Sequence, residues 1–85
     1  IKVDQSFIRN MLASESDLEI VVGVIGLARA FRLEAVAEGV ETQEHAQALR
    51  RLGCQLAQGY GIARPLPLAQ FEAWRAQWQG LPGAD

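Results

Sequence analysis

The sequence predicts an α/β fold made of consecutive β-α units. Short apolar segments that contain Val, Ile and Ala alternate along the chain with longer segments whose apolar residues recur at helical spacing. Gly or Pro separates most of these segments, and these residues favour turns. The helical segments are long enough to cross over between parallel strands, so we expect about three strands and three helices in the order β-α-β-α-β-α.

The first unit begins at residue 1. Residues 1–4 alternate between apolar and polar side chains, which predicts a short strand with Lys2 and Asp4 on the same face. One or two helical turns are predicted next from the spacing of Phe7, Ile8, Met11 and Leu12.

The longest helix is predicted over residues 17–31. Ser16 and Glu19 have the spacing of a capping box. An apolar stripe follows at helical spacing and consists of Ile20, Val21, Val24, Ile25, Ala28 and Phe31. Gly23 and Gly26 lie inside this helix, where each glycine costs about 1 kcal/mol relative to Ala. We therefore expect another element to approach the helix closely at these two positions.

The second unit combines a nearly continuous apolar segment with a well-capped helix. Residues 33–37 predict a strand that is covered on both faces and ends at Glu38. Thr42 is placed to cap a helix over residues 43–52, and Gly53 can supply the left-handed position after it.

The last unit has a strand predicted at residues 55–60 and a helix that extends to Gln79. Pro65 and Pro67 interrupt the chain between them, and Pro67 is expected near the first helical position. The apolar stripe of this helix, which we expect in the core, consists of Phe71, Trp74 and Trp78. Residues 80–85 are expected to form a flexible tail.

Composition argues against several classes of function. The 85 residues include 8 Lys plus Arg and 10 Asp plus Glu, which gives a net charge of −2. This balance predicts no basic surface for DNA, RNA or anionic lipid. The longest apolar run, residues 20–28, is much shorter than the roughly 20 residues that a membrane span needs.

The lone cysteine and the lone histidine are not expected to carry chemistry. Cys54 has no second cysteine for an internal disulfide, and one His beside one Cys cannot build a zinc site. A reducing, cytoplasmic location is therefore expected. We expect Cys54 to be an inert buried residue and His45 to be solvated on the first turn of its helix.

Polar residues near the predicted strand ends form the candidate site. Lys2 lies on the first strand, Glu38 and Glu41 follow the second, and Gln58 lies at the end of the third. Active sites of α/β folds lie at the carboxyl ends of parallel strands, so these side chains are expected to converge. An ammonium, carboxylates and an amide suit metal-assisted phosphoryl chemistry.

Each of these residues also has a structural interpretation. Lys2 can be a strand-end lysine whose charge stays in solvent, and Glu41 can stabilise a helix N-terminus. Gln58, which precedes a glycine, can belong to a turn. Composition and spacing leave both interpretations open.

Several sequence motifs resemble the C-terminal part of an EAL domain, the family of cyclic di-GMP phosphodiesterases. They are Ile1-Lys2-Val3-Asp4-Gln5-Ser6-Phe7, Ala37-Glu38-Gly39-Val40-Glu41-Thr42, Leu52-Gly53-Cys54, Gln58-Gly59-Tyr60 and Arg64-Pro65-Leu66-Pro67. The resemblance implies that residues 1–79 are the C-terminal third of the domain. These residues would form the last β-α repeats of a modified TIM barrel, with residues 80–85 as the tail.

The resemblance also implies hydrolysis of cyclic di-GMP to linear pGpG with two Mg²⁺ or Mn²⁺ ions. Lys2 resembles the family lysine that contacts the hydrolytic water. Glu38 resembles the glutamate that completes the metal and water network, directly or through water. Glu41 resembles a glutamate that supports a mobile active-site loop, and Gln58 a glutamine that helps hold the network. Asp4 is expected to be structural.

Most of the family's metal ligands have no match in this chain and would precede residue 1. The chain alone is therefore expected to be inactive, with the upstream remainder of the barrel as its first partner. Sensory or GGDEF domains and a second copy in a homodimer are further expected partners. The alternatives are a degenerate EAL domain that binds cyclic di-GMP as a receptor, and an α/β segment without a site. The sequence that precedes this chain would separate enzyme from receptor.

Overall fold

A computed structural model describes the backbone of residues 1–59 and 65–79 and the side chains of residues 1–59 and 65–73. In chain order, the elements are β1 (Lys2–Val3), α1 (Gln5–Asn10), α2 (Glu15–Ala30), β2 (Val36–Val40), α3 (Gln43–Arg51), β3 (Leu56–Gly59), β4 (Leu66–Pro67) and α4 (Leu68–Gln79). The strands form one sheet in the order β1-β2-β3-β4. β1, β2 and β3 are parallel, whereas β4 runs antiparallel to β3.

The α/β class and the three parallel strands are confirmed, and α1 corresponds to the one or two helical turns predicted after the first strand, whereas the strand β4 was not predicted. The described residues form four strands and four helices. Pro67 ends β4 and directly precedes the first residue of α4, near the first helical position as predicted, and the Leu68 N–H donates to the Gln55 carbonyl oxygen at 2.8 Å. A strand of two residues is too short to show alternation, and an edge position tolerates a residue without an N–H.

The predicted start of the long helix is also wrong. Ser14, and not Ser16, is the N-cap of α2, and its hydroxyl oxygen accepts a hydrogen bond from the Asp17 N–H at 3.3 Å. Both serines have an acidic residue three positions later, so the capping pattern fits either one. The extended backbone at Ser14 (φ −128°, ψ 117°) decides between them.

The second strand lies later in the chain than its apolar residues suggest. β2 spans Val36–Val40, whereas the sequence predicts residues 33–37, with the strand ending at Glu38. Leu33 is 52% exposed and lies before the strand, and Glu38 pairs with Gln58 of β3. Pairing with the neighbouring strand, and not local hydrophobicity, therefore sets the limits of β2.

All four helices contribute to a core on one face of the sheet. Val3, Ala37 and Ala57 occupy one row across the parallel strands and are 0–2% exposed. The helices supply Ile8, Val21, Ile25, Ala28, Ala46, Leu49, Leu68 and Phe71 to this core. Phe71 is thus buried as predicted, while the side chains of Trp74 and Trp78 and all of residues 80–85 lie outside the described residues. Within the described part of the chain, no helix is both long and apolar enough to cross a bilayer.

Among the residues that the structure describes, the expected close approach at Gly23 and Gly26 is not found. A Cβ atom added at either glycine would meet no described atom within 4 Å. The helix exposes Ile20, Val22 and Leu27, and its C-cap Phe31 is also exposed; these four residues are 40–67% accessible. Among the described residues, no packing contact offsets the free-energy cost of the two glycines in the helix.

Gly23→Ala is therefore expected to stabilise the protein. Alanine restricts the unfolded chain and favours the helix, which predicts a gain of about 0.5–1 kcal/mol. Thermal melts of the full-length protein would measure it, with Gly53→Ala as a control expected to destabilise, since Gly53 has φ +95°. A lower melting temperature for Gly23→Ala would contradict the prediction and indicate that another part of the protein packs against this face.

Candidate active site at the carboxyl edge of the sheet

The structure brings three of the predicted site residues to one face of the sheet. Lys2 pairs with Val36, and Glu38 pairs with Gln58. Paired residues of parallel strands share a face, as do residues two apart on one strand. Lys2, Glu38 and Gln58 therefore lie on the face opposite the helices, toward the carboxyl ends of β1, β2 and β3.

The strand pairing also sets the distances between Lys2, Glu38 and Gln58. Glu38 and Gln58 are direct neighbours on adjacent strands, whose backbones are about 4.8 Å apart. Lys2 is paired two residues before Glu38, which corresponds to roughly 8 Å between Cα atoms along the diagonal. Long side chains span this distance, so an ammonium, a carboxylate and an amide can reach a common ligand.

A β-bulge after Glu38 changes which face the next side chains occupy. The pairing of β2 with β3 shifts between Glu38 and Val40, and Gly39 has φ +74°. Residues two apart on a regular strand share a face, yet Glu38 is half-buried and Val40 is fully buried. The bulge lets Glu38 stay on the polar face while Val40 packs into the core.

Two close approaches fix this bulge. A Cβ atom at Gly39 would lie 2.6 Å from the Gln5 Cβ atom at the start of α1. A Cβ atom at Gly59, which pairs with Val40, would overlap the Val40 carbonyl oxygen. Both positions therefore exclude a side chain, and the backbone directly after Glu38 packs closely against the start of α1 and the end of β3.

Glu41 lies directly beyond the bulge. It is exposed and precedes Thr42, the N-cap of α3, whereas the acidic residue in the first turn of that helix is Glu44. Glu41 is thus outside the first turn, which weakens its interpretation as a residue that serves the helix dipole. Glu41 directly follows β2 and therefore lies at the same carboxyl edge of the sheet as Glu38.

Asp4 has the structural position that the sequence suggests. It is the N-cap of α1, and one carboxylate oxygen accepts hydrogen bonds from the Ser6 hydroxyl at 2.5 Å and the Ser6 N–H at 3.1 Å. These bonds hold the pKa of the Asp4 carboxyl below its ordinary value. Asp4 therefore ends β1 and begins α1 just after Lys2.

The expectation that His45 is solvated surface is wrong. Its side chain is partly buried, and both ring nitrogens have partners, the Thr42 hydroxyl at Nδ1 and the Arg9 carbonyl oxygen at Nε2. The sequence contains no local signal for the second partner, which lies 36 residues away. Cys54 is buried as predicted, and burial raises the pKa of its thiol.

The polar face of the sheet carries the Glu38 carboxylate, which fits part of a metal site. In residues 1–59 and 65–73, neither the Lys2 ammonium nor the Glu38 carboxylate has a hydrogen-bond or ion-pair partner. The described residues contain no group of three or more His, Cys, Asp or Glu side chains that could hold a metal ion together. A carboxylate oxygen is a suitable ligand for Mg²⁺ or Mn²⁺, so Glu38 fits as one contributor to a site completed by other residues.

Comparison with known protein families explains why these motifs occur together. The family model of the EAL domain matches residues 1–65. The chain belongs to the EAL domain family. Among curated EAL relatives, Cyclic di-GMP phosphodiesterase NbdA of Pseudomonas aeruginosa is 49% identical over 72 residues. That alignment covers 85% of this chain and 9% of NbdA, so the chain spans about a tenth of the length of this relative.

Solved EAL structures confirm the fold class. The MucR phosphodiesterase of Pseudomonas aeruginosa, solved as a c-di-GMP complex, aligns with a TM-score of 0.67 and 40% identity over 82% of this chain and 28% of that chain. The EAL domain of Mycobacterium smegmatis DcpA aligns with a TM-score of 0.65 and 42% identity over 89% of this chain and 34% of that chain. The β-α units described above therefore have the fold of the C-terminal part of an EAL-type modified TIM barrel.

Proposed function

We propose that the protein containing this chain hydrolyses cyclic di-GMP to linear pGpG, with residues 1–79 as the C-terminal third of its EAL domain. The observation that carries this proposal is the placement of Lys2, Glu38 and Gln58 on one face of the sheet, at the carboxyl ends of three parallel strands. Membership of the EAL family and the names of relatives such as NbdA support the substrate.

Lys2 supplies positive charge and hydrogen-bond donors to the reaction. Its ammonium group has three donors and no acceptor, so it can hold the oxygen of the attacking water beside the phosphate. Negative charge grows on the phosphate oxygens as water attacks phosphorus and the bond to the ribose 3′ oxygen breaks. A fixed cation next to this charge stabilises the transition state more than the bound substrate.

Glu38 supplies a carboxylate to the proposed network of metal ion and attacking water. When bound, Mg²⁺ or Mn²⁺ polarises the phosphate and lowers the pKa of the attacking water. Glu38 would hold such an ion directly or through a water molecule, and its neighbour Gln58 would orient the carboxylate. Glu41, beyond the bulge, would support an active-site loop from another part of the barrel.

Glu38→Gln is expected to lower kcat by roughly 10²–10³-fold with a much smaller change in KM, because it removes charge from the reacting network at nearly constant side-chain size. Steady-state kinetics with cyclic di-GMP and the full-length protein would measure this change. Glu34→Gln is the matched control, since Glu34 is exposed and precedes the opposite end of β2. Equal kcat values for Glu38→Gln and the wild type would contradict the assigned role of Glu38.

The same assays distinguish an enzyme from a receptor. Metal-dependent turnover by the wild-type protein is the expected result. Binding of cyclic di-GMP without turnover would instead favour the degenerate receptor. The homodimer, the sensory or GGDEF domains and the cytoplasmic location stay predictions from the sequence.

A further inference from the structure

His45 connects two elements that flank the candidate site. The Thr42 hydroxyl oxygen accepts a hydrogen bond from the His45 N–H at 3.1 Å and also contacts the ring Nδ1. On the other side of the ring, Nε2 lies 3.3 Å from the Arg9 carbonyl oxygen. The imidazole therefore joins the first turn of α3 to the last turn of α1.

These partners assign the protons on the ring. A carbonyl oxygen only accepts hydrogen bonds, so Nε2 carries the proton that it donates to Arg9. In the neutral ring, which carries one N–H proton, the Thr42 hydroxyl is then the donor to Nδ1. Arg9 contributes one of the last carbonyls of α1, which lack partners within a helix, so the bond from His45 satisfies an otherwise open acceptor.

The hydrogen bond between His45 and the Arg9 carbonyl adds a second contact between α1 and the segment 38–42 with its following helix. β1 carries Lys2 and leads directly into α1 through Asp4. α1 contacts the bulge at its start, through Gln5 and Gly39, and holds His45 at its end, through Arg9. The segment that carries Glu38 and Glu41 is thus held against the same helix at two separate points.

We propose that His45 is a positioning residue, which fixes residues 38–42 against α1 and thereby sets the distance of Glu38 and Glu41 from Lys2. This inference rests on the proposed function for its catalytic consequence. His45 lies beyond Thr42 and its ring nitrogens are directed to Thr42 and Arg9, so it acts through other residues and does not touch the substrate. A misplaced carboxylate lowers the rate of the chemical step more than it weakens binding.

The test compares His45→Gln with His45→Asn in the full-length protein. The Gln amide extends far enough to replace Nε2 and donate to the Arg9 carbonyl, whereas the shorter Asn amide replaces only Nδ1. His45→Asn is expected to lower kcat about tenfold with less than about a twofold change in KM, and His45→Gln is expected to restore most of the rate. Gln favours a helix more than Asn does, and a Gln-to-Asn exchange at exposed Gln47 on the same helix measures this difference, so a larger difference between the two His45 variants reports the bond to Arg9.

Hydrogen exchange provides a readout that does not depend on activity. The amides of residues 39–42 and the end of α1 are expected to exchange faster in His45→Asn than in the wild type or in His45→Gln. Gln47→Asn, at an exposed position on the same helix, is the matched control and is expected to change neither exchange nor kcat.

The possible outcomes separate the two proposals. If Lys2→Ala abolishes turnover but His45→Asn retains the wild-type kcat and exchange, the positioning role is wrong and the hydrolase proposal stands. If the wild-type protein shows no turnover, the proposed function fails, while the exchange data still support or overturn the link through His45. Equal exchange and equal kcat for the Asn and Gln variants would also overturn it.

Discussion

Replacing Lys2 with Ala is expected to lower kcat for cyclic di-GMP by roughly 10²–10³-fold, with a much smaller change in KM. Lys2 lies on the polar face of β1, diagonal to Glu38, and its ammonium has no partner among the described residues. Its charge is therefore available for the attacking water and for the negative charge that develops on phosphate. Steady-state kinetics of the full-length protein, with thermal melts to confirm folding, would measure the effect.

The control for Lys2→Ala is Arg51→Ala. Arg51 is exposed at the end of α3, and this change removes the same unit of positive charge away from the candidate site. If the loss of positive charge acted only on the encounter with substrate, the kinetic constants of both variants would change to a similar extent. A folded Lys2→Ala protein with the wild-type kcat would show that the site assignment is wrong and would favour the receptor alternative.

Phe71→Ala is expected to lower the free energy of unfolding by about 3–5 kcal/mol. Phe71 is 1% exposed on α4, and its ring lies 3.3 Å from the position that a Cβ atom would take at Gly59. Removal of the ring leaves a cavity between α4 and the end of β3. Chemical or thermal unfolding of the full-length protein would measure the loss.

Gln70→Ala is the control for Phe71→Ala, because Gln70 is the exposed neighbour on the same helix and alanine suits a helix. This control is expected to change stability by less than about 0.5 kcal/mol. A loss below about 1 kcal/mol for Phe71→Ala would contradict the core position of the ring. Loss of kcat at temperatures where Phe71→Ala is fully folded would indicate that the ring also supports the site.

Local sequence patterns were sufficient for the α/β class, the parallel strands and one helix with both of its ends. Thr42 caps α3 as expected, and Gly53 has the positive φ predicted for the position after the helix. Caps and helix-ending glycines act within a few residues, so they can be predicted from residues that are close together in the sequence. The burial of Phe71 follows from helical periodicity for the same reason.

The sequence also identified the polar residues near the strand ends but not their arrangement. Lys2, Glu38 and Gln58 were expected to converge because carboxyl ends of parallel strands meet at one edge. That they share one face depends on the pairing of Lys2 with Val36 and of Glu38 with Gln58. A shift of one residue in either pairing would place a side chain on the opposite face.

By itself, the sequence determined the class of fold, the alternation of three parallel strands with helices and the residue types available for chemistry, because these depend on periodicity and on short-range capping. It did not predict β4. Only the tertiary structure decided where β2 lies, that Gly39 forms a bulge, and that His45 binds the Arg9 carbonyl 36 residues away. These features depend on which backbone groups meet after the chain has folded. Hydrogen bonds and close approaches between distant segments produce no periodic pattern in the sequence. They can therefore be identified only from the packed arrangement of the strands and helices.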